Sequence, residues 1–275
     1  MSPGWLAILL AILVAPHYAS AAIVAMQEKA TAPGAAPAGP PPGANKQAAL
    51  EAQRNAEADP SESNLFLYAS SLMKLDYPSA ETIYRYALKK YPDSVRLHAG
   101  LASALWAQAK RDEGAAELYH AYEIAPADPH PLEFLVSAGY IPDTLRQKVV
   151  DGLQQLRRRY PRDGLILFDL EMVLSNRYNG GLEIPADFVP TVKEAIRLTP
   201  QLPEAYFQLS LVYEAKADYA EQAQALRHAV ELSPQDEHYR YNLAMAYKRL
   251  GNKDEFQKEM SIFQQMHSRS SQANP

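Results

Sequence analysis

The sequence predicts an all-α protein of stacked antiparallel helix pairs, and three observations carry that expectation. Alanine and leucine dominate the body of the chain while β-branched runs are few, a balance that favours helix. Prolines that end helical segments stand at Pro92, Pro126, Pro161, Pro200 and Pro234, at spacings of 34, 35, 39 and 34 residues. Before the last of them, Tyr206, Leu209 and Tyr213 recur at three- and four-residue steps, and after a short break Ala223, Leu226, Ala229 and Val230 do the same. This is the periodicity of two amphipathic helices, neither of which can bury its apolar stripe alone. Proline closes the unit because it lacks a backbone N–H and clashes with the preceding turn of a continuing helix.

The 275 residues allow one elongated domain or two ordinary ones. At 47% hydrophobic and 21% charged, the chain can form a folded core. Its formal net charge of -5 argues against a generic nucleic-acid binder, which shows a basic excess. The absence of cysteine removes disulfides, thiolate metal sites, cysteine nucleophiles and lipidation at cysteine.

Residues 5–15 form an unbroken apolar run, interrupted by Pro16 and followed by the small residues Ala19-Ser20-Ala21. Run length and small-residue terminus fit a secretory signal over residues 1–21, cleaved after Ala21. Residues 1–4 carry no Lys or Arg, and an uncleaved signal anchor over residues 5–26 is the competing reading. Either gives a protein exported to the periplasm or beyond, or one held at the membrane by its N-terminal segment. Residues 22–46 are read as a disordered tether, since 27–46 are rich in Ala, Pro and Gly with no large apolar residue. A helical repeat domain follows over 47–267, opening with a solvated, alanine-rich helix to Ala58, and residues 268–275 are expected to be a disordered tail.

Within that domain the units fall at about 61–94, 95–128, 129–163, 164–202, 203–236 and 237–266. The first matches a common pattern with Leu67, Ala80, Tyr84, Ala87 and Pro92, departing from it at Tyr68 and Ser71. The second has Leu101-Ala102, Leu105, Gly114, Leu118, Ala121 and Pro126. The fifth has Leu209-Ser210, Tyr213, Leu226, Ala229 and Pro234, and the sixth Leu243-Ala244, Tyr247 and Leu250-Gly251. The third is cut short at Gly139-Tyr140-Ile141-Pro142, with a longer second helix from about Asp143 to Tyr160. The fourth has Leu167, Leu170 and Leu174 in its first helix, Ala195 and Pro200 in its second, and an insertion around residues 179–185 between them. Period and pattern together resemble the tetratricopeptide repeat (TPR) family over about residues 61–266.

That resemblance implies a TPR-type α-solenoid, a right-handed superhelix whose concave side is lined by first helices, and a non-catalytic protein-binding scaffold. Helical spacing selects the residues opposite the seam: Leu65 and Met73 in the first unit, Trp106 in the second, Phe168 and Met172 in the fourth, Phe207 and Leu211 in the fifth, Tyr241 and Met245 in the sixth. Their apolar and aromatic character suits a groove for a peptide or helix, though tight curvature could equally bury them as core. The family's clamp for a terminal carboxylate is absent, since Leu65, Ala69 and Gly100 occupy those places.

Other chemistry finds little support. Arg157-Arg158-Arg159 with Arg162 is the most basic cluster, but it ends a predicted helix, where cations meet the dipole favourably. The histidines at 98, 120, 130, 228 and 238 include no pair at helical metal-binding spacing. Neither a Gly-x-Ser-x-Gly elbow nor a phosphate loop occurs. The expectation is therefore a cell-envelope scaffold for complex assembly or tethering, with no cofactor, no metal and no nucleic acid. Its partner is a protein or peptide, and self-association is compatible with the same surface. The alternatives are a cytoplasm-facing, membrane-anchored adaptor and an enzyme sited in the irregular middle, residues 139–190.

Overall fold

The computed structural model describes residues 44–176 and 184–273. Among them are thirteen helices and no strand, so the all-α architecture of consecutive helix pairs stands. A lead-in helix α1 (Ala44–Ala58) precedes the pairs α2 (Glu62–Leu72) with α3 (Tyr77–Lys90), and α4 (Val95–Ala107) with α5 (Arg111–Ile124). Then come α6 (His130–Ser137) with α7 (Asp143–Arg159), α8 (Gly164–Leu174) with α9 (Phe188–Leu198), α10 (Pro203–Ala215) with α11 (Tyr219–Leu232), and α12 (Glu237–Arg249) with α13 (Lys253–Ala273). The chain forms two compact bodies: an N-terminal one to Arg159 that also takes in Met172 onward on α8, and a C-terminal one holding Tyr160–Glu171 and the described residues from 184. The signal or anchor segment and the tether lie outside the described residues, as does most of the insertion at 179–185.

The closing prolines act on the residue before them. Tyr91, Ala125, Thr199 and Ser233 all leave the helical region, with φ between -129° and -134° and ψ between 66° and 87°. Proline's Cδ excludes the α conformation from its predecessor, so four second helices end in the same way. First helices restart on side-chain caps: Ser94 accepts from the Leu97 N–H, and Asp236 from those of His238 and Tyr239.

Within a pair, the turn sets the register. In α4–α5, α10–α11 and α12–α13 it has three residues, the middle one left-handed: Ala109 (φ 60°), Ala217 (φ 56°) and Gly251 (φ 74°). In α2–α3 the turn is one residue longer, running from Met73 to Asp76. Met73 keeps helical dihedrals (φ -56°, ψ -22°) and no residue of this turn is left-handed, so the chain takes a different path between the two helices and the seam moves with it. Phe66, not Leu67, packs against the Tyr84 ring (6.1 Å between centroids), and the Ser70 hydroxyl meets the Tyr84 hydroxyl at 2.9 Å. Leu67 is left 58% exposed, while Leu65 and Ala69 join Ala56, Leu97 and Leu101 in the core of the N-terminal body. The alanine-rich α1 is less solvated than its composition suggests. Ala49 and Ala56 are buried and Leu50 points outward, because small side chains let the helix approach closely.

The irregular third pair follows its sequence. Helix α6 stops at Ser137, Gly139 takes φ 70°, Ile141 is buried, and α7 runs to Arg159. In the fourth pair the expected stripe of Leu167, Leu170 and Leu174 is not the buried face. Ile166 and Val173 are buried and Leu174 is 58% exposed. Helix α8, Gly-Leu-Ile-Leu-Phe-Asp-Leu-Glu-Met-Val-Leu, is apolar almost all round, so periodicity could not select a face. Its start lies against α9 so closely that a Cβ on Gly164 would sit 2.2 Å from the Ala195 carbonyl oxygen. At the C-terminus, α13 continues to Ala273, through the stretch from 268 whose composition predicts a disordered tail.

A polar fastening joins α3 to the turn before α5. The Glu81 carboxylate accepts from Arg85 at 2.8 Å, Lys110 at 2.7 Å and Gln108 at 2.8 Å. Burial works against the charge, but the bonds from Lys110, Arg85 and Gln108 outweigh it and hold the carboxyl down at about 2, from an ordinary 4.5. A depressed carboxylate contributes stability that is complete above its ordinary value and is lost as pH falls toward the folded one.

Two outcomes follow from this architecture. Ala217→Gly is expected to stabilise the protein by about 0.5–1 kcal/mol, relieving a left-handed residue with a Cβ, while Gly251→Ala costs about 1 kcal/mol although nothing crowds its site. Urea denaturation of both variants checks the pair of signs. Glu81→Gln is expected to lower stability at pH 7 and to flatten the loss between pH 4.5 and 2, measured as melting temperature against pH.

Candidate protein-binding faces

The residues selected from the sequence as groove-lining divide by burial. Leu65 (4% exposed), Phe168 (5%) and Met172 (7%) are core. Leu65 is turned inward with the altered path of the first turn, and Phe168 and Met172 lie on the all-apolar α8. Met73, expected on the first helix, lies in the turn after it and packs half-buried on the N-terminal core. Trp106 is half-buried, its ring 6.0 Å from that of Phe134 and lying over Gly114, where a Cβ would meet it at 2.9 Å. Its indole N–H is buried with no hydrogen-bond acceptor, a mark of packing rather than display.

The C-terminal body offers a more coherent face on α10 and α12. Phe207 is half-buried, with Tyr239 at 5.2 Å and His238 at 4.9 Å between ring centroids, and it packs on the cluster of Ala223, Leu226, Leu243 and Ala246. Burial pushes the His238 imidazole below its ordinary value, with Asp236 acting in the opposite sense. Tyr241 is half-buried against Phe263 of α13, at 5.3 Å. Leu211 and Met245 are half-buried at corresponding places one repeat apart.

Helical spacing also points Glu214 and Arg249 to the groove side of the fifth and sixth units; what it did not show is that they pair to form a polar border. Glu214 of α10 pairs with Arg249 of α12 at 2.6 Å, and the Gln222 side-chain amide donates to Glu214 at 3.1 Å. The Arg249 guanidinium also lies 5.5 Å from the Tyr219 ring centroid, a cation–π contact. The basic run at the end of α7 includes Arg158 and Arg159 on the exposed surface. Among the described residues no group of three or more His, Asp or Glu side chains is placed to hold a metal ion, and none of the helices is long and apolar enough to cross a membrane.

Comparison with known proteins bears on the fold. The tetratricopeptide-repeat family model matches residues 203–236 and 237–260, the α10–α11 pair and part of the next. No curated protein matches the chain. Among solved structures it is similar to a chain of the APC/C hetero-tetramer Cut9-Hcn1, at 15% identity and TM-score 0.55, over 82% of this chain and 44% of that one. The protein thus spans less than half the length of that relative. It is also similar to PilF of Pseudomonas aeruginosa (14% identity, TM-score 0.50, 84% and 99% covered). A thermophilic TPR protein of Thermus thermophilus, TTC0263, is similar at 18% identity and TM-score 0.50, with 68% and 98% covered. At these identities the likeness is one of fold, and the fold is the all-α TPR type.

The two kinds of face residue are separable by stability. Phe207→Ala is expected to cost about 2–3 kcal/mol because it opens a packed aromatic corner, whereas Leu211→Ala costs under about 1 kcal/mol. Urea unfolding monitored by circular dichroism distinguishes them.

Proposed function

We propose that the protein is a non-catalytic interaction scaffold of the cell envelope that binds a peptide or helix of a partner protein on the α10–α12 face, in the assembly or tethering of a complex. The observation that carries this reading is the pair Leu211 and Met245. Both are apolar, half-buried and outside the packed seam, and they lie beside the Glu214–Arg249 ion pair. An apolar floor with a charged rim is the composition by which an amphipathic helix or extended peptide is recognised. Envelope placement is supported by the N-terminal apolar run and the small residues that end it. If that segment stays uncleaved, it also tethers the scaffold to the membrane.

Photo-crosslinking residues placed at 211 and 245 in the full chain, in its native cells, are expected to capture a protein that the same probe at Tyr86, exposed on α3, does not. Leu211→Ser with Met245→Ser is expected to lose that capture while the melting temperature changes by no more than about 4 °C. Equal capture from Tyr86, or capture undiminished in the double variant, would overturn the assignment of the face. N-terminal sequencing of the natural protein is expected to begin at Ala22; a start at Met1 favours the anchored form.

A further inference from the structure

Two helix pairs fasten themselves with the same bond set, built on different cations. In α12–α13, Arg240 donates from Nη1 to Glu259 at 2.8 Å and from Nη2 to the carbonyl of the closing proline Pro234 at 3.0 Å. Both members of that pair are largely buried, at 12% and 9% side-chain exposure. In α4–α5 the corresponding residue is His98, itself only 7% exposed. Its Nδ1 stands 2.6 Å from Glu117 and its Nε2 2.8 Å from the carbonyl of the closing proline Pro92. The sequence offsets coincide, nineteen residues to the carboxylate and six to the proline in each pair. In α10–α11 the same places hold Tyr206 and Ala225, and the fastening is replaced by Tyr206 lying 5.1 Å from the His228 ring.

A neutral imidazole has one N–H and one lone pair. Both ring nitrogens of His98 face acceptors that have no proton of their own at neutral pH, so a neutral ring would leave a lone pair against an oxygen. Only the doubly protonated ring satisfies both contacts, as the guanidinium of Arg240 does.

We propose that His98 is held as an imidazolium clamp, the titratable counterpart of Arg240, so that the packing of α4 on α5 and on the Pro92 turn loosens as pH rises while the Arg240 clamp does not. The ionisable groups that face the ring are Glu117 and His120 from α5, the latter 4.7 Å away edge to face, and Asp93 from the turn before α4. Charged neighbours on α2 and α3 are engaged elsewhere: Glu62 with Ser94 and Arg96, Lys90 with the Pro60 carbonyl. Burial disfavours the charge on His98, but Glu117, the Pro92 carbonyl and Asp93 together outweigh it and raise the ring above its ordinary 6.5. A raised cation contributes stability that is complete below the unfolded value near 6.5 and is lost as pH climbs through the folded value.

The test uses the full chain. Long-range proton–nitrogen NMR of the histidine rings is expected to show His98 with both nitrogens protonated at pH 7, titrating above 6.5, in contrast to His238. The urea midpoint of the N-terminal body, read by hydrogen exchange of α4 and α5 amides, is expected to fall as pH rises above the ordinary 6.5 of the ring. His98→Arg removes that fall, and Arg240→His introduces one into α12–α13. A single neutral tautomer of His98 at pH 7, or the same pH dependence in His98→Arg as in the natural chain, overturns the proposal. The wild-type NMR measurement decides even if a variant fails to fold.

Discussion

The turn between the two helices of a pair is the constraint on which the rest of the fold depends. Each first helix must bury one face against its own partner and another against its neighbours, and a helix face moves by about 100° for every residue added before it. Three pairs keep a three-residue turn and accept a left-handed residue in its middle, at Ala109, Ala217 and Gly251. The α2–α3 pair has no left-handed residue in its turn. The packing of α2 differs with it: Phe66 and Ser70 meet Tyr84, Leu65 and Ala69 enter the core, and Leu67 is left outside. A change in the path of one turn thus reassigns a helix from display to packing.

Around this register the chain places a second layer of fastening, made of charge. Glu81 gathers Arg85, Lys110 and Gln108 across a turn, and the first-helix cations His98 and Arg240 each reach both a carboxylate of the second helix and the carbonyl of the preceding proline. Such groups are costly to bury alone and tolerable when their charge is paired. They pin the proline turn and the second helix to one point of the first helix, which apolar stripes of Leu and Ala would allow to slide. The same architecture keeps the candidate binding face small. On α10 and α12 most large apolar residues are engaged in packing, and Leu211 and Met245 stand beside a rim of Glu214 and Arg249.

Much of this was legible in the chain itself. The prolines at 92, 126, 200 and 234 announce helix ends because their chemistry acts on the adjacent residue, whatever the tertiary surroundings. The break at residues 139–142 is equally local, a glycine with positive φ followed by proline. Tyr68 and Ser71 were also a local sign, since their departure from the pattern marks the pair whose register has moved. The binding residues were less legible. Leu65, Phe168 and Met172 have the spacing of a displayed face, yet spacing reports only that residues share a face and not what lies opposite it.

The sequence by itself therefore determined the helix pairs, their ends and their stacking, because propensity, period and proline sterics are short-range. Only the tertiary structure decided which apolar residues remain at the surface. It also decided that His98 and Arg240 do the same work. Turn length, close backbone approach such as that at Gly164, and contacts between residues nineteen or more positions apart set burial and charge state, and none of these is visible in a single helical period.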